Sequence, residues 1–566
     1  MAKRETPGND HKIRNSGSER SYSTTQQASR IVLVVTAMLL GVGLVAGQLI
    51  RLAVQGQDRP RIAAAAPVTD VISRPPIVDR DGRVLALDIR MPSLIADPSQ
   101  IIDLEHTIDT LLAMLPNADR AGLRRKLSNA DSRFAWIARK VSTARAEAVF
   151  HLGLPGINYR WETKRTYPAG QVAGHVLGAV NISNRGVAGL EAFLDRARGL
   201  TDRDGAKDGA FETGPVRTTI RLGVQHALEE ELADAVATFQ AAGASGIILD
   251  ARSGEVAAIA SVPEVDPAFP QDWVTNGPIS LATAGTLELG SVFKLMTIAM
   301  GFDLGLVEPE TLIATHKPIE IGKARVSDGR ARRTPLSVRD VFLKSSNVGA
   351  GRIALAAGAE RQQAFLARLG LLGPIETEVG PLARPVAPKN WGELETVTIS
   401  YGHGIALSPL QFAAAAATLV NGGYRVRPRF TLAHGLPDVV RTRVVRPETS
   451  AMVRRMMRSN VMDPSGSGAA ADVPGYRVGG KTGTADVVGE TGRYDGRDVN
   501  TSFVAAFPID QPRYVVLVTL IHPKASKKTG GGRLAGDNAA PATARIIGRT
   551  APLLGILPEQ ISPVAE

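Results

Sequence analysis

Residues 288–297 read Glu-Leu-Gly-Ser-Val-Phe-Lys-Leu-Met-Thr, and two polar side chains in them, Ser291 and Lys294, lie three positions apart. The run continues as SVFKLMTIAMGFDLG with helical apolar spacing, which puts the pair on one face at the N-terminal end of a helix. A serine hydroxyl is a poor nucleophile until a neighbouring base takes its proton. Free backbone N–H groups at a helix start favour the negative charge that develops there. Leu289-Gly290 fits the turn into that helix. Lys294 serves as base only when neutral, and burial or a second cation brings that about.

Two further patterns follow downstream. Ser345-Ser346-Asn347 is the one S-x-N in the chain, 54 positions after Ser291, and S-x-x-K also occurs once. Lys-Thr-Gly occurs twice, at Lys481 and at Lys528. Lys481-Thr482-Gly483 is embedded in strand-like sequence, YRVGGKTGTADVV. Lys528 lies in the loop ASKKTGGGRLAGDN and reads as a solvated charge. Lys481 is therefore the expected second cation, lowering the pKa of Lys294 and attracting a substrate carboxylate. Thr482 and Thr484 offer hydroxyls to that carboxylate, and Gly483, lacking a side chain, lets a substrate backbone lie along the strand. Ser345 can relay a proton between Lys294 and a leaving amine, while Asn347 can orient Lys294 or a substrate amide. The backbone N–H groups of Ser291 and Thr484 would complete an oxyanion hole. Singly, each residue has a plain alternative as a helix cap, a solvated lysine or a turn. Together, in this order, they point to serine acyl transfer.

The surroundings give these motifs a domain. LGVQHALEEELADAVATFQ (222–240) has helical spacing, and ASGIILDARSGEVAAIAS reads as two strands around Arg252-Ser253-Gly254. Near the C-terminus YRVGGKTGTADVV, NTSFVAAFPI and YVVLVTLI are three more strand candidates, with LQFAAAAATLVNGG among the intervening helices. This order describes a sheet whose outer strands come from both ends of the domain. Upstream, residues 71–220 carry short apolar runs such as VLALDI and SLIAD, and helical stretches near 103–128 and 143–152. TDRDGAKDGAFETG (201–214) reads as a hairpin or exposed loop.

Ile31 to Ile50, IVLVVTAMLLGVGLVAGQLI, is twenty residues without a charge, enough to cross a bilayer as a helix. Basic residues outnumber acidic ones in the disordered-looking tail before it, so residues 1–30 are expected in the cytoplasm and the rest outside. A cleaved signal peptide would have a shorter apolar region. The chain has 566 residues, which suggests two or three folded units, and a net charge of +11. That charge suits anionic partners, yet the basic residues are dispersed and aromatics are 5%, which argues against nucleic acid. The absence of cysteine removes disulfides, thiolate catalysis and Cys-based zinc sites.

Ser291-x-x-Lys294, Ser345-x-Asn347 and Lys481-Thr482-Gly483 together are the signature shared by penicillin-binding proteins and class A β-lactamases. The chain resembles the class B penicillin-binding proteins, and among them the division-type (septal) peptidoglycan transpeptidases, over nearly all its length beyond the anchor. Arg74-Pro-Pro-Ile-Val-Asp79-Arg80-Asp-Gly82 with Leu85-Ala86 is similar to the segment that opens the family's pedestal domain. Arg165-x-Tyr167-Pro168-x-Gly170 with His175-x-x-Gly178, and Gly186-x-x-Gly189-Leu190-Glu191, are similar to its second and third blocks. Tyr401-Gly402-His403-Gly404 with Ser408-Pro409-Leu410-Gln411 resembles the connection between the second and third motifs, and His403 reads as a loop-packing residue. Two departures stand out: Glu288-Leu289-Gly290 lacks the proline common before that glycine, and Gly531–Ala535 matches the family ending only loosely.

The resemblance implies a multidomain α+β chain, with a cytoplasmic tail (1–30), a single transmembrane helix (31–50) and an elongated pedestal or dimerisation-type domain (51–220). A penicillin-binding transpeptidase domain of the serine β-lactamase-like fold (221–555), a central antiparallel sheet flanked by helices, would precede a short tail (556–566). It implies cross-linking of peptidoglycan stem peptides on glycan strands derived from lipid II, through a serine acyl-enzyme and without cofactor or metal, and acylation by β-lactam antibiotics. The implied location is the bacterial inner membrane with the catalytic domain in the periplasm. The implied partners are a lipid-II-polymerising glycosyltransferase and other division proteins. An elongation-type transpeptidase and a D,D-carboxypeptidase stay open as alternatives, as do a β-lactamase, an inactive division scaffold and a β-lactam sensor. Against the lactamase stands the lack of a Glu-x-x-Leu-Asn motif between Ser345 and Lys481.

Overall fold

The computed structural model describes residues 24–58, 73–197, 214–271, 280–328, 334–432, 442–488, 494–526 and 529–559. The expectations for residues 1–23, for 201–213 and for Lys528 lie outside them, while residues 24–30, expected in the tail, are helical. The chain forms two units, Met1–Ile72 and Ser73–Glu566. In the first, α1 (Thr24–Asp58) contains the apolar stretch Val32–Arg51, whose 20 residues carry a mean hydropathy of 2.2. At 1.5 Å per residue that stretch is about 30 Å long, the thickness of a bilayer's hydrocarbon core.

The second unit opens with a sheet of β1 (Ile77–Val78), β2 (Val84–Ala96), β3 (Ala135–Ala138), β4 (Ile157–Thr166) and β5 (Val216–Arg217). VLALDI and SLIAD, read as separate runs, are two parts of the single strand β2, which pairs with both β3 and β4. Between strands lie α2 (Leu104–Met114), α3 (Arg120–Leu127) and α4 (Thr143–His151). The helical stretch expected over 103–128 is thus two helices. Pro116 drives Leu115 out of helical geometry, and the Asp119 side chain then caps α3 by accepting from the N–H groups of Ala121 and Gly122.

The three pedestal blocks converge on one buried ion cluster, with Arg74 lying 117 residues before Glu191 and Arg165 26 residues before it. Arg74 Nε donates to Glu191 Oε2 at 2.9 Å and Arg165 Nε to Glu191 Oε1 at 2.7 Å; Glu191 lies in α5 (Gly189–Ala197). Arg74 also pairs with Asp195, and Arg165 with Asp88 at 3.2 Å. Gly178 and Gly189 pack backbone on backbone there, since a Cβ on Gly178 would stand 1.9 Å from Ala188 O.

The larger sheet holds β6 (Gly243–Asp250), β7 (Val256–Val262), β8 (Gly479–Val488), β9 (Tyr494–Phe507) and β10 (Tyr514–Ile521) in the antiparallel order β8-β9-β10-β6-β7. One outer strand comes from each end of the domain, as the element order suggested. Helices cover both faces. Alternate residues Ile247 and Leu249 join the core shared with α7 (Lys294–Asp303), α9 (Pro409–Val420) and α10 (Pro447–Met462), whereas Ile248 joins that shared with α6 (Leu222–Phe239) and α11 (Ala539–Leu553). Burial on both faces explains why YVVLVTLI runs apolar without alternation. Asp79 ties the two regions by accepting from the Leu222 N–H at 3.1 Å.

Candidate active site

Gly290–Phe293 is a single 3-10 turn, and α7 begins at Lys294. In 3-10 geometry positions i and i+3 eclipse, so Lys294 stands directly over Ser291. Its Nζ lies 2.6 Å from Ser291 Oγ, 2.7 Å from Asn347 Oδ1 and 3.4 Å from Ser345 Oγ. Lys481 Nζ, arriving on outer strand β8, is 3.1 Å from the same Ser345 Oγ. Ser291, Lys294, Ser345, Asn347 and Lys481 thus share one contact network between the two lobes of the fold.

The electrostatics follow from burial. Lys294 and Lys481 are both fully inaccessible to solvent. Desolvation, and then the like charge of Lys481, hold the Lys294 ammonium far below the usual lysine range, opposed by the carboxylate of Asp328. Desolvation alone brings Lys481 down to about 7. Desolvation and the charge of Lys481 both favour the neutral form of Lys294, which is what a base for Ser291 requires.

β8 lies unusually close to the nucleophile turn, and two glycines make that possible. A Cβ on Gly290, whose φ is +60°, would stand 2.3 Å from Thr484 O. A Cβ on Gly483 would stand 2.4 Å from Leu289 O and 2.9 Å from Val292 N. The lack of a Cβ at Gly483 thus also permits this contact with the Ser291 turn. Thr482 Oγ1 donates to Ser467 Oγ at 2.7 Å, and Thr484 Oγ1 accepts from the Ala535 N–H at 3.3 Å. The loosely matching Gly531–Ala535 segment therefore reaches β8.

Chain 70–199 matches the family model described as penicillin-binding protein dimerisation domain, and 244–547 matches the penicillin binding protein transpeptidase domain. The probable peptidoglycan D,D-transpeptidase FtsI of Caulobacter vibrioides is 35% identical over 86% of this chain and 82% of its own length. The peptidoglycan D,D-transpeptidase FtsI of Escherichia coli is 30% identical over 87% and 85%. This chain is a class B penicillin-binding protein. Among solved structures, the penicillin binding protein 3 of Mycobacterium tuberculosis complexed with aztreonam superposes with a TM-score of 0.66 at 25% identity, over 86% of this chain and 97% of that one. This penicillin-binding protein is a peptidoglycan D,D-transpeptidase, with the fold that its motifs implied.

Ser467 and Asp328, at the site of this penicillin-binding protein, carried no signal in the sequence, whereas Glu288 and His403 stood out only as a departure and as a loop-packing residue. Ser467 approaches both Thr482 and Lys481, the latter at 3.4 Å, from the turn after α10. Asp328 holds the Ser345–Asn347 turn from a distant loop. Glu288, in the unusual Glu-Leu-Gly segment, accepts from Tyr494 Oη at 2.9 Å and from the Gly404 N–H at 2.9 Å. His403 stacks on Tyr494 with ring centroids 5.3 Å apart and meets Tyr401 edge-on. Burial depresses its pKa, against the pull of Glu288 and Asp486. Short-range spacing cannot reveal partners contributed by separate loops. Among the described residues no cluster of metal-ligating side chains occurs.

Proposed function

We propose that this class B penicillin-binding protein cross-links septal peptidoglycan with Ser291 as the acylated nucleophile and Lys294 as its base. The observation that carries the reading is the 2.6 Å approach of Lys294 Nζ to Ser291 Oγ, continued through Ser345 to Lys481. Lys294 takes the hydroxyl proton as Oγ bonds to the carbonyl carbon of the penultimate D-alanine. The oxyanion rests against the N–H groups of Ser291 and Thr484. The C–N bond then breaks, the leaving amine takes its proton through Ser345, and D-alanine departs. An amine of a neighbouring stem peptide attacks the ester carbonyl and gives its proton to neutral Lys294; as the new C–N bond forms the C–Oγ bond breaks, and Lys294 passes that proton to Ser291 Oγ. Lys481 in its ammonium form, with Thr482 and Thr484, holds the terminal carboxylate of the donor, while Asn347 keeps Lys294 in place. Gly483 holds β8 against the nucleophile turn. β-Lactams occupy the donor's place and leave Ser291 acylated.

The pedestal spans residues 51–220 and the catalytic domain 221–555. Anchored by α1 in the inner membrane, with residues 1–30 in the cytoplasm, the catalytic domain works in the periplasm. The anchor and pedestal meet a lipid-II-polymerising glycosyltransferase and other division proteins. The reaction is tested by incubating the full-length chain in detergent with glycan strands bearing D-Ala-D-Ala stem peptides. Release of D-alanine together with dimeric stem peptides, both lost in Ser291→Ala, is expected. D-Alanine release without dimers would turn the reading to a carboxypeptidase.

A further inference from the structure

Ser345 sits between the two lysines in a conformation that a non-glycine residue rarely holds, with φ at +56°. Left-handed backbone at such a residue is strained and persists only where neighbouring contacts fix it. On the N-terminal side, the N–H groups of Ser345 and Ser346 donate to Phe342 O at 3.3 Å and Val341 O at 2.9 Å. On the C-terminal side the clamp is Asp328, which reaches in from a loop before residue 334. Its Oδ2 accepts from Ser346 Oγ at 2.7 Å, and its Oδ1 from the N–H groups of Asn347 at 2.8 Å and Val348 at 3.1 Å. Ser346 Oγ in turn accepts from the Gly349 N–H at 2.9 Å, so one carboxylate and one hydroxyl satisfy the first turn of α8 (Asn347–Ala357). That is the turn from which Asn347 holds Lys294.

We propose that Asp328 is a positioning residue for acylation, locking the Ser345–Asn347 turn against Lys294 and placing a negative charge on the Lys294 side of the site. The inference rests on the reading of Ser291 and Lys294 as nucleophile and base. The contacts described for Asp328 are with Ser346, Asn347 and Val348, so it acts through Ser346 and the start of α8. The charged and titratable groups that bear on Lys294 are Lys481 and Asp328, with His403 electrostatically linked to it and the Tyr401 ring 5.7 Å from its Nζ. Asp328 opposes the effects of burial and of Lys481 on the Lys294 ammonium.

The test is the second-order rate of acylation of the full-length chain by a fluorescent penicillin between pH 5.5 and 9.5. Wild type is compared with Asp328→Asn, Asp328→Glu, Ser346→Ala and Ser291→Ala. Asp328→Asn is expected to lower the rate at pH 7 about 10- to 100-fold. With the negative charge gone Lys294 loses its proton more easily, so the rising limb of the pH profile moves to lower pH. Asp328→Glu keeps the charge and is expected to retain the wild-type limb at a reduced rate. Ser346→Ala keeps Asp328 and is expected to lower the rate with the limb unmoved, which keeps the test open if Asp328→Asn fails to fold. A folded Asp328→Asn protein with the wild-type rate, or with a loss of rate and an unmoved limb, overturns the proposal. So does a wild-type rate in Ser346→Ala. Labelling that persists in Ser291→Ala would instead remove the active-site reading on which it stands.

Discussion

Lys294 and Lys481 are buried with no carboxylate in direct contact among the described residues, which is an expense to the fold. For Lys481, the fall from 10.5 to about 7 corresponds to roughly 5 kcal/mol between its two protonation states. The folded pKa lies below the unfolded one, so the cost is felt in full below about pH 7. It shrinks as pH rises from about 7 towards 10.5, where the unfolded chain also loses its proton. Replacing the lysine with an apolar side chain of similar length removes that cost. The Tm difference, Lys481→Met minus wild type, is therefore expected to be more favourable at pH 6 than at pH 9, by roughly 3 kcal/mol expressed as a few degrees. Differential scanning calorimetry at the two pH values measures it, and equal differences at both would mean that Lys481 titrates like an ordinary lysine. The same residues mark what sequence could convey. Ser291, Lys294, Ser345, Asn347 and Lys481 were legible because each belongs to a short spaced pattern. Ser467 and Asp328 were not, because their roles depend on loops that meet only in the folded chain.

At the scale of elements, the site is an abutment of a 3-10 turn, the start of α8 and strand β8. The hairpin β6–β7, the strands β8, β9 and β10 and the helices α6, α7 and α9 could all be read from apolar spacing and turn residues. The split of the 103–128 stretch was also written in the sequence, at Pro116 and the Asp119 cap, but helical spacing on either side masked it. This contact of Gly483 was not readable, because close approach of two backbones leaves no periodic trace. It appears in space beside Gly290: each leaves out a Cβ that would collide with the other segment's main chain. Gly290→Ala would both strain a φ of +60° and push β8 away from Ser291. We expect it to lower penicillin acylation at least tenfold while costing about 1–3 kcal/mol of stability. Stopped-flow labelling beside a urea melt measures both, and an unchanged acylation rate would show that the contact is not needed for the chemistry.

At the scale of the whole molecule, a charged cluster organises the pedestal and a doubly covered sheet organises the catalytic domain. Arg74, Arg165 and Glu191 come from three separate blocks, and both arginines pair with Glu191 out of water, which makes that carboxylate a keystone for the two. The blocks were legible as a family pattern, but only the fold shows that they meet at one point. The membrane anchor was legible from length and lack of charge alone, because a bilayer sets a single requirement on a helix. Everything proposed for the full-length chain turns on one covalent bond. The most direct test is intact-mass and peptide-mass analysis of wild type and Ser291→Ala after exposure to benzylpenicillin. The account predicts a single penicilloyl adduct on the peptide carrying Ser291 in the wild type and none in the variant. An adduct that survives Ser291→Ala, or folded wild type that takes up none, would contradict it.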